Sequence, residues 1–555
     1  MSNLEEKVKQ WESFYRESLK ARPELKKDFK NLSGIPLRPL YTPKDTNGID
    51  YLEKLGFPCE YPYTRGIYPG MYRTQLWNKR MLLGFESPEE FNRRQKELFK
   101  AGQTAINMVP DNPFMRGYDV DQVEKELVGT TGVPINTVGD MEAALEGIPL
   151  EEVSIAFNDA GPFTMTAALF ALADKQGVPL SKIIGTTNQS DFISHYVALH
   201  MYIRFPLEGH LRMTVDLTKF CTKNVPKWNP VSIIGQHMQQ AGATPLQALA
   251  FTLSSGIFYI DQCIKAGLNV DDFARRFSFF FDISISLFEE VAKFRAGRRM
   301  WAKILKERFG AKDPRSPLFK FHAQTSGTEL TRQQPLNNIA RVCLQALGAI
   351  LGGAQSLHTD AYDEALQSPT EEAARIAVMT QNIIAEESGV TDVIDPLGGG
   401  YYIEALTDEM EKRAWEYIEK IDSMGGMLEA IKSGYVQNEI GRSAYEYQQM
   451  VDKKERTVVG VNKYIIPEQQ DVKPAHKKPN LQEVEKRIER IKRLRQNRDQ
   501  AKAQIALKGL EEAAADANIN LFEAVINALK ADVTHGEIVA KFREIYGDGR
   551  PLIVC

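Results

Sequence analysis

"NPVSIIGQHMQQAGATPLQALAF", residues 229–251, passes from one periodicity to another within a few positions. Val231 to Ile234 is a short apolar, β-branched run. Gly235 breaks it, His237 follows, and from Thr244 the apolar spacing becomes helical. A strand handing over to a helix is one β/α unit, and such units build parallel sheets. His237 is therefore expected at the C-terminal end of a strand.

Working outward, the same alternation recurs. Strands are expected at "TAINMV" (104–109), "VSIAF" (153–157), "KIIGTT" (182–187), "LRMTV" (211–215), "VSIIG" (231–235), "FSFFF" (277–281), "FKFHA" (319–323) and "AQSLH" (354–358). Amphipathic stretches such as "EEFNRRQKELFKAG" lie between most of them. About eight units over roughly 270 residues match one eight-stranded β/α (TIM) barrel, with a doubly wound open sheet as the alternative. Residues 1–66, rich in proline, lysine and aromatics, are expected as an extended N-terminal arm, and 67–464 as the barrel. Residues 465–479, with three prolines, are expected as a linker, and 480–555 as a helical C-terminal segment. That segment is read either as a docking element for a partner or as a self-packed cap.

Composition narrows the function classes. With 43% hydrophobic residues and a net charge of −4, the chain can build a large core and offers no nucleic-acid field. Its five scattered cysteines form no C-x-x-C pair, which fits a reducing cytoplasm. No signal-peptide core and no apolar run of about 18 residues is evident, so no membrane span is expected.

In a β/α barrel, chemistry belongs at the C-terminal strand ends. Gln189, His237, Arg276, Ser278, His322, Gln324, Gln355 and His358 fall at or near strand ends. A single such histidine reads as a structural hydrogen-bonder, whereas several converging ones read as a site. No metal-ligand spacing, G-x-S-x-G or P-loop is found, so no metal is expected. "PLGGGYY" (396–402) reads as a turn rather than a phosphate loop, because no helix clearly follows it. Ser154, Ser232 and Ser278 stand on expected strands, where bulky residues are usual. If they face inward they leave room along the axis.

"RGIYPGMYR", "PKWNPVSIIGQHMQQAGATP", "FHAQTSGTELT", "GGAQSLHTDAYDEA" and "EESGVTDVIDPLGG" resemble the large subunit of adenosylcobalamin-dependent acyl-CoA mutases, over about residues 35–460. The resemblance implies a barrel with coenzyme A threaded down its axis and a radical 1,2-rearrangement of the acyl skeleton. It implies that His237 donates a hydrogen bond to the thioester carbonyl, with Gln189 near the acyl group. It implies that Tyr68, Met71, Arg73, Arg276, Ser278, His322 and Gln324 hold the CoA arm; a cation near the CoA phosphates is expected on physical grounds, and "YTRG" offers Arg65 for it. Glu364, Gln240 and Gly327 are implied on the cofactor side. Departures include Gln236 where a tyrosine is usual, Gln240 where a carboxylate is usual, and one extra residue in "GTTNQSD". None of the eight histidines has an aspartate two residues before it, so the cobalt-ligating D-x-H-x-x-G motif is lacking. The cofactor is then expected to be shared with a separate small cobalamin-binding subunit, in a cytoplasmic heterodimer or heterotetramer.

Three positions bear on the substrate. Leu82, in "RMLLGF", replaces a tyrosine that reads a carboxylate. Leu199 replaces the arginine that does the same, and Val109 replaces an aspartate that reads a hydroxyl. All three remove a polar handle, so a hydrocarbon acyl group is expected, pivaloyl or isovaleryl ahead of isobutyryl, butyryl or 2-hydroxyisobutyryl. His200 and Arg204, close by in sequence, could restore a charge. A rival class is a CoA-binding scaffold without chemistry. A barrel lyase or aldolase is a third reading, though no Schiff-base lysine stands at a strand end.

Overall fold

Ten short strands succeed one another along the chain: β1 (Asn78–Lys79), β2 (Leu82–Leu83), β3 (Ala105–Met108), β4 (Ser154–Phe157), β5 (Gly185–Thr187), β6 (Trp228–Asn229), β7 (Ser232–Ile234), β8 (Ser278–Ile283), β9 (Phe321–Thr325) and β10 (Ser356–His358). They belong to a computed structural model that describes residues 2–24, 28–46, 50–84, 86–199, 202–467 and 479–552. All their pairings are parallel, in two five-stranded sheets ordered β1-β10-β9-β8-β7 and β2-β3-β4-β5-β6. Helices such as Pro88–Lys100, Thr164–Lys175, Pro245–Lys265 and Leu287–Lys303 follow the strands, as a parallel sheet requires. The result is a mixed α/β fold of the TIM-barrel-like kind.

The sheets share two chain segments. Only Arg80 and Met81 separate β1 from β2, and only Pro230 and Val231 separate β6 from β7. Proline has no N–H to give a ladder, and at Pro230 the segment changes partner from β5 to β8. Within "RMLLGF", Leu82 and Leu83 thus form a strand of their own. Alternation along β8 sorts its faces: Phe279 and Phe281 meet Trp301 and Phe294 on the helix side. Ser278 lines an interior cavity, and Phe280 packs on His322 of β9.

One expected strand is wrong. "LRMTV" lies inside the helix Leu207–Asn224, where Met213, Leu217, Phe220 and Cys221 are buried at helical spacing. The short apolar run there fits both periods, and the longer pattern decides. "PLGGGYY" also differs from expectation, since the helix Tyr401–Ser423 begins directly after Gly400. Glu404 of that helix accepts the Gly399 N–H at 2.8 Å. In the arm, residues Ser2–Ala21 form a helix.

The C-terminal helices Leu481–Asn497, Gln500–Ala515, Leu521–Lys530 and His535–Tyr546 pack onto the body beside β2–β6. Phe522 meets Phe170 and Phe220 with ring centroids 6.0 and 5.4 Å apart. His535 stacks on Phe114 at 3.8 Å, and its Nε2 donates to the Phe114 carbonyl at 2.9 Å. Most of the expected linker, from 468 to 478, lies outside the described residues, as does His200. Among the described residues, no helix is long and apolar enough to cross a membrane.

Candidate active site

A cavity of about 220 Å³ lies between the sheets. Ser154, Ser232 and Ser278 all line it, so the three small hydroxyl residues do face inward. Tyr68, Arg276 and His322 line it too. At the N-terminal strand ends its wall carries three cations, Lys227, Arg276 and Lys320. Burial, with Arg276, Arg275 and Arg315 nearby, pushes the Lys320 ammonium down to about 8. Arg65 is not among them: its Nε lies 3.2 Å from Asp395 Oδ2 and its Nη1 donates to Tyr51. Met71 is buried near Gly66 and Gly353, and Arg73 is exposed; neither is among the residues lining the cavity.

Deeper in the cavity stands Arg80. Its guanidinium is fully buried and donates to Ser154 Oγ at 3.1 Å and to the Ile106 carbonyl at 3.5 Å. Among the described residues it has no carboxylate partner, and burial lowers it to about 10. Burial and the Arg80 charge hold His322 well below the usual imidazole range, so the ring is neutral. Its Nδ1 lies 2.6 Å from Ser356 Oγ. Gln324, next inward-facing residue on β9, pairs in register with Asp282 and His358.

His237 is the second residue of the short helix Gln236–Gln240, which Gly235 joins to β7, and is buried. Its Nδ1 lies 3.1 Å from Ser194 Oγ, and its ring lies 5.3 Å from that of His195. His195 Nε2 donates to Gln189 Oε1 at 3.0 Å. The structure therefore gathers His237 and Gln189 into one polar group through His195. Asp191 braces that group. It caps the helix Phe192–Ala198, accepts Tyr259 Oη–H at 2.7 Å and accepts the Ile234 N–H at 2.8 Å, tying the loop after β5 to β7. Burial raises its carboxyl to about 6 despite those donors.

A second polar cluster occupies the ends of β8, β9 and β10. Leu82 N–H donates to His358 Nδ1 at 3.0 Å, which leaves the ring proton on Nε2, 2.9 Å from Asp360 Oδ1. Ligand atoms of His358, Asp360 and Glu364 all lie within 4.8 Å of one another, a grouping that sequence spacing did not show. The hydrogen bond to Nδ1 and the close approach of Asp360 to Nε2 engage both ring nitrogens. Burial and mutual repulsion push Glu364 up to about 8, burial raises Asp360 to about 7, and burial with the Asp360 charge raises Asp282 well above the carboxylate range. Gln240 Nε2 donates to Asp282 Oδ1 at 3.1 Å. A side chain at Gly327 would come within 3.4 Å of Asp360 Oδ2. The three residues expected on the cofactor side, Gln240, Gly327 and Glu364, thus meet at this cluster. It adjoins a pocket of about 280 Å³ with Ser326, Thr328 and Glu329 on its wall.

Comparison with known proteins matches residues 30–548 to one family, described as methylmalonyl-CoA mutase. The chain belongs to the methylmalonyl-CoA mutase family. It is 43% identical to the 2-hydroxyisobutanoyl-CoA mutase large subunit of Aquincola tertiaricarbonis, over 99% of this chain and 98% of that protein. It is 39% identical to methylmalonyl-CoA mutase of Cereibacter sphaeroides, over 99% of this chain and 76% of that protein. With the mitochondrial methylmalonyl-CoA mutase of Homo sapiens it shares 38%, over 97% and 71%. Like these relatives, the chain is an acyl-CoA mutase, an isomerase, and its family depends on adenosylcobalamin.

Within this mutase fold, Leu82 pairs in register with Asn107 of β3, and Val109 continues that ladder by donating to the Leu83 carbonyl at 2.9 Å. Leu199 ends the helix Phe192–Ala198 at φ 49° and is 53% exposed. Arg204 offers no charge to an acyl group: its guanidinium donates to the carbonyls of Phe114, Met115, Ala160 and Gly161. The sequence reading passed over Lys227, Lys320, Arg80, Asn107, Ser194 and His195. Lys227 was visible beside the quoted tryptophan of "PKWNP"; the others carry no spacing signal, because tertiary placement alone brings them to the site.

Proposed function

We propose that this mutase acts with a separate small cobalamin-binding subunit, and that its two sheets close into one eight-stranded barrel around an acyl-CoA. The observation that carries the reading is the polarity of the cavity, cationic at its N-terminal mouth and lined further in by Ser232 of β7, the strand that leads to His237. The phosphates of CoA meet Lys227, Arg276 and Lys320, with Tyr68 beside them. The pantetheine arm runs past Ser154, Ser232, Ser278 and His322. The thioester reaches His237.

Ser194 sets how His237 works. Its one hydroxyl proton has two acceptors, the Asp191 carbonyl at 3.0 Å and His237 Nδ1 at 3.1 Å; with substrate bound it goes to Nδ1, and the neutral ring keeps its own proton on Nε2. That N–H then hydrogen-bonds the thioester oxygen, on which electron density gathers during rearrangement, and a fixed donor stabilises that state. Gln189, held by His195, orients the acyl end. Burial of the whole group excludes water and other quenchers of a reactive intermediate.

The cofactor fits the residues present. Gln240, the hydroxyls of Ser326 and Thr328, and Asp360 and Glu364, whose carboxyls burial pushes toward the protonated form, offer hydrogen bonds to a ribose and to an amide-edged macrocycle. Bound there, adenosylcobalamin supplies the carbon radical that opens and closes each turnover.

For the substrate, the 43% relative favours a 2-hydroxylated branched acyl group. Leu82, Val109 and Leu199 favour the second reading, a purely hydrocarbon pivaloyl or isovaleryl group. The test is reconstitution. The purified chain with adenosylcobalamin is expected to turn over no acyl-CoA, and addition of the small subunit is expected to restore activity. kcat/KM for 2-hydroxyisobutyryl-, isobutyryl-, pivaloyl- and methylmalonyl-CoA then ranks the readings. Turnover by the chain alone would remove the partner from the proposal, and a preference for methylmalonyl-CoA would remove both substrate readings.

A further inference from the structure

Asn107 is 1% exposed, and among the described residues neither its Oδ1 nor its Nδ2 has a hydrogen-bond partner. Leaving a carboxamide buried and unpaired costs about 1–3 kcal/mol for each unmet group, so native interiors seldom keep one. Asn107 also lines the interior cavity, beside Arg80 and Ala156. Its position along the cavity follows from register. Leu82 of β2 and Ala156 of β4 are its partners across the ladders. Register partners in adjacent strands lie about 4.8 Å apart with side chains on the same face. Val109, two residues on, projects from that face about 7 Å further along.

We infer that Asn107 is a specificity residue that hydrogen-bonds a hydroxyl on the acyl group of the substrate. The inference rests on the mutase reading, which puts the acyl group at Leu82 and Val109. The thioester oxygen has its donor in His237, and the pantetheine amides lie toward the lysine and arginine mouth. What remains at the level of Leu82 is the acyl chain. A hydrocarbon there would leave the carboxamide unpaired in the complex as well. A 2-hydroxyl both donates and accepts, and a carboxamide offers the matching acceptor and donor. Val109 removes one hydroxyl reader from β3, and Asn107 restores one from the same face of the same strand.

Asn107→Leu tests this, because it keeps nearly the same volume and removes only the polar atoms. Binding of 2-hydroxyisobutyryl-CoA and isobutyryl-CoA to the large subunit is measured by calorimetry, and kcat/KM for both is measured with the small subunit present. Melting curves establish that the variant folds, and Asn107→Ser serves if it does not. The expected result is a loss of roughly 5–150-fold for the hydroxylated ester alone, the factor that 1–3 kcal/mol represents, with isobutyryl-CoA unchanged or improved. Equal losses for both esters would overturn the inference, since Asn107 would then read a part common to every CoA ester. An unchanged ratio would overturn it too. The binding ratio needs no turnover, so a wild type inactive on all esters defeats the mutase reading without deciding Asn107.

Discussion

The two ends of the strands carry ionisable groups of opposite sign, and each end disfavours its own charge. At the N-terminal strand ends, burial and the neighbouring arginines bring Lys320 down to about 8. At the C-terminal strand ends, Asp360 and Glu364 rise to about 7 and 8. The remedies differ. Crowded cations are relieved by an anion from outside, which makes the lysine end a binding device that must weaken with salt. Among the described residues no lysine or arginine pairs with Asp360 or Glu364, so these carboxyls are relieved by taking up protons. One end therefore holds charge for a ligand to neutralise. The other is close to neutral at physiological pH, which suits a rearrangement in which no full charge develops. His237 lies between these regimes and is the place where a fixed dipole counts most.

The largest effect should come from that middle. His237→Ala is expected to lower kcat by about 10²–10³-fold, the usual loss for one oxyanion donor, with CoA-ester affinity little changed. Steady-state kinetics on the reconstituted enzyme and calorimetry on the large subunit separate the two quantities. A variant with near-normal kcat would make His237 a packing residue and dissolve the division of labour along the axis.

A smaller effect is expected at the lysine end, and in the other kinetic constant. Lys320→Ala should raise KM about tenfold or more, the value of one charge-assisted hydrogen bond, and leave kcat nearly intact. Wild-type KM should also rise with salt and as pH passes above about 8, where Lys320 loses its proton. Lys320→Arg should keep the affinity and lose that pH dependence. A fall in kcat without a change in KM would show that this end is not a binding device.

How far the sequence announced this arrangement depends on the kind of signal. The β/α alternation was legible because β-branched runs such as Val231 to Ile234 and the helical spacing after Thr244 differ over several residues. The "LRMTV" run failed because five residues cannot separate a strand from a turn of the helix Leu207–Asn224. β1 and β2 escaped notice because Lys79 and Arg80 interrupt the apolar pattern on a segment whose charged residues are buried. Ser154, Ser232 and Ser278 were singled out by residue type, but only the pleat decides that they face the cavity. Arg65 looked like a phosphate ligand, yet the sequence could not show Asp395, 330 positions away, taking its guanidinium. Asn107 stood inside a quoted strand and carried no signal at all, since what marks it is the absence of a partner among the described residues.

The smallest effect tests the carboxyl end without any ligand. Asp360 and Glu364 bind protons more tightly when folded than their ordinary values of 3.8 and 4.5 allow in an unfolded chain. Groups with raised native values give stability that is fully present below the unfolded value and is lost as pH rises through the native one. For this pair the loss runs from about pH 4 to pH 8. Asp360→Asn removes one of the two carboxyls and can still hydrogen-bond Glu364, so it escapes much of that loss. The difference in Tm, variant minus wild type, should therefore grow between pH 6 and pH 9, by about 1–3 °C for a chain of this size. Parallel melting curves across that range would mean that both carboxylates are charged and paired in the folded protein. The two ends of the strands would then be relieved in the same way, by ions of opposite sign, and the contrast between them would fail.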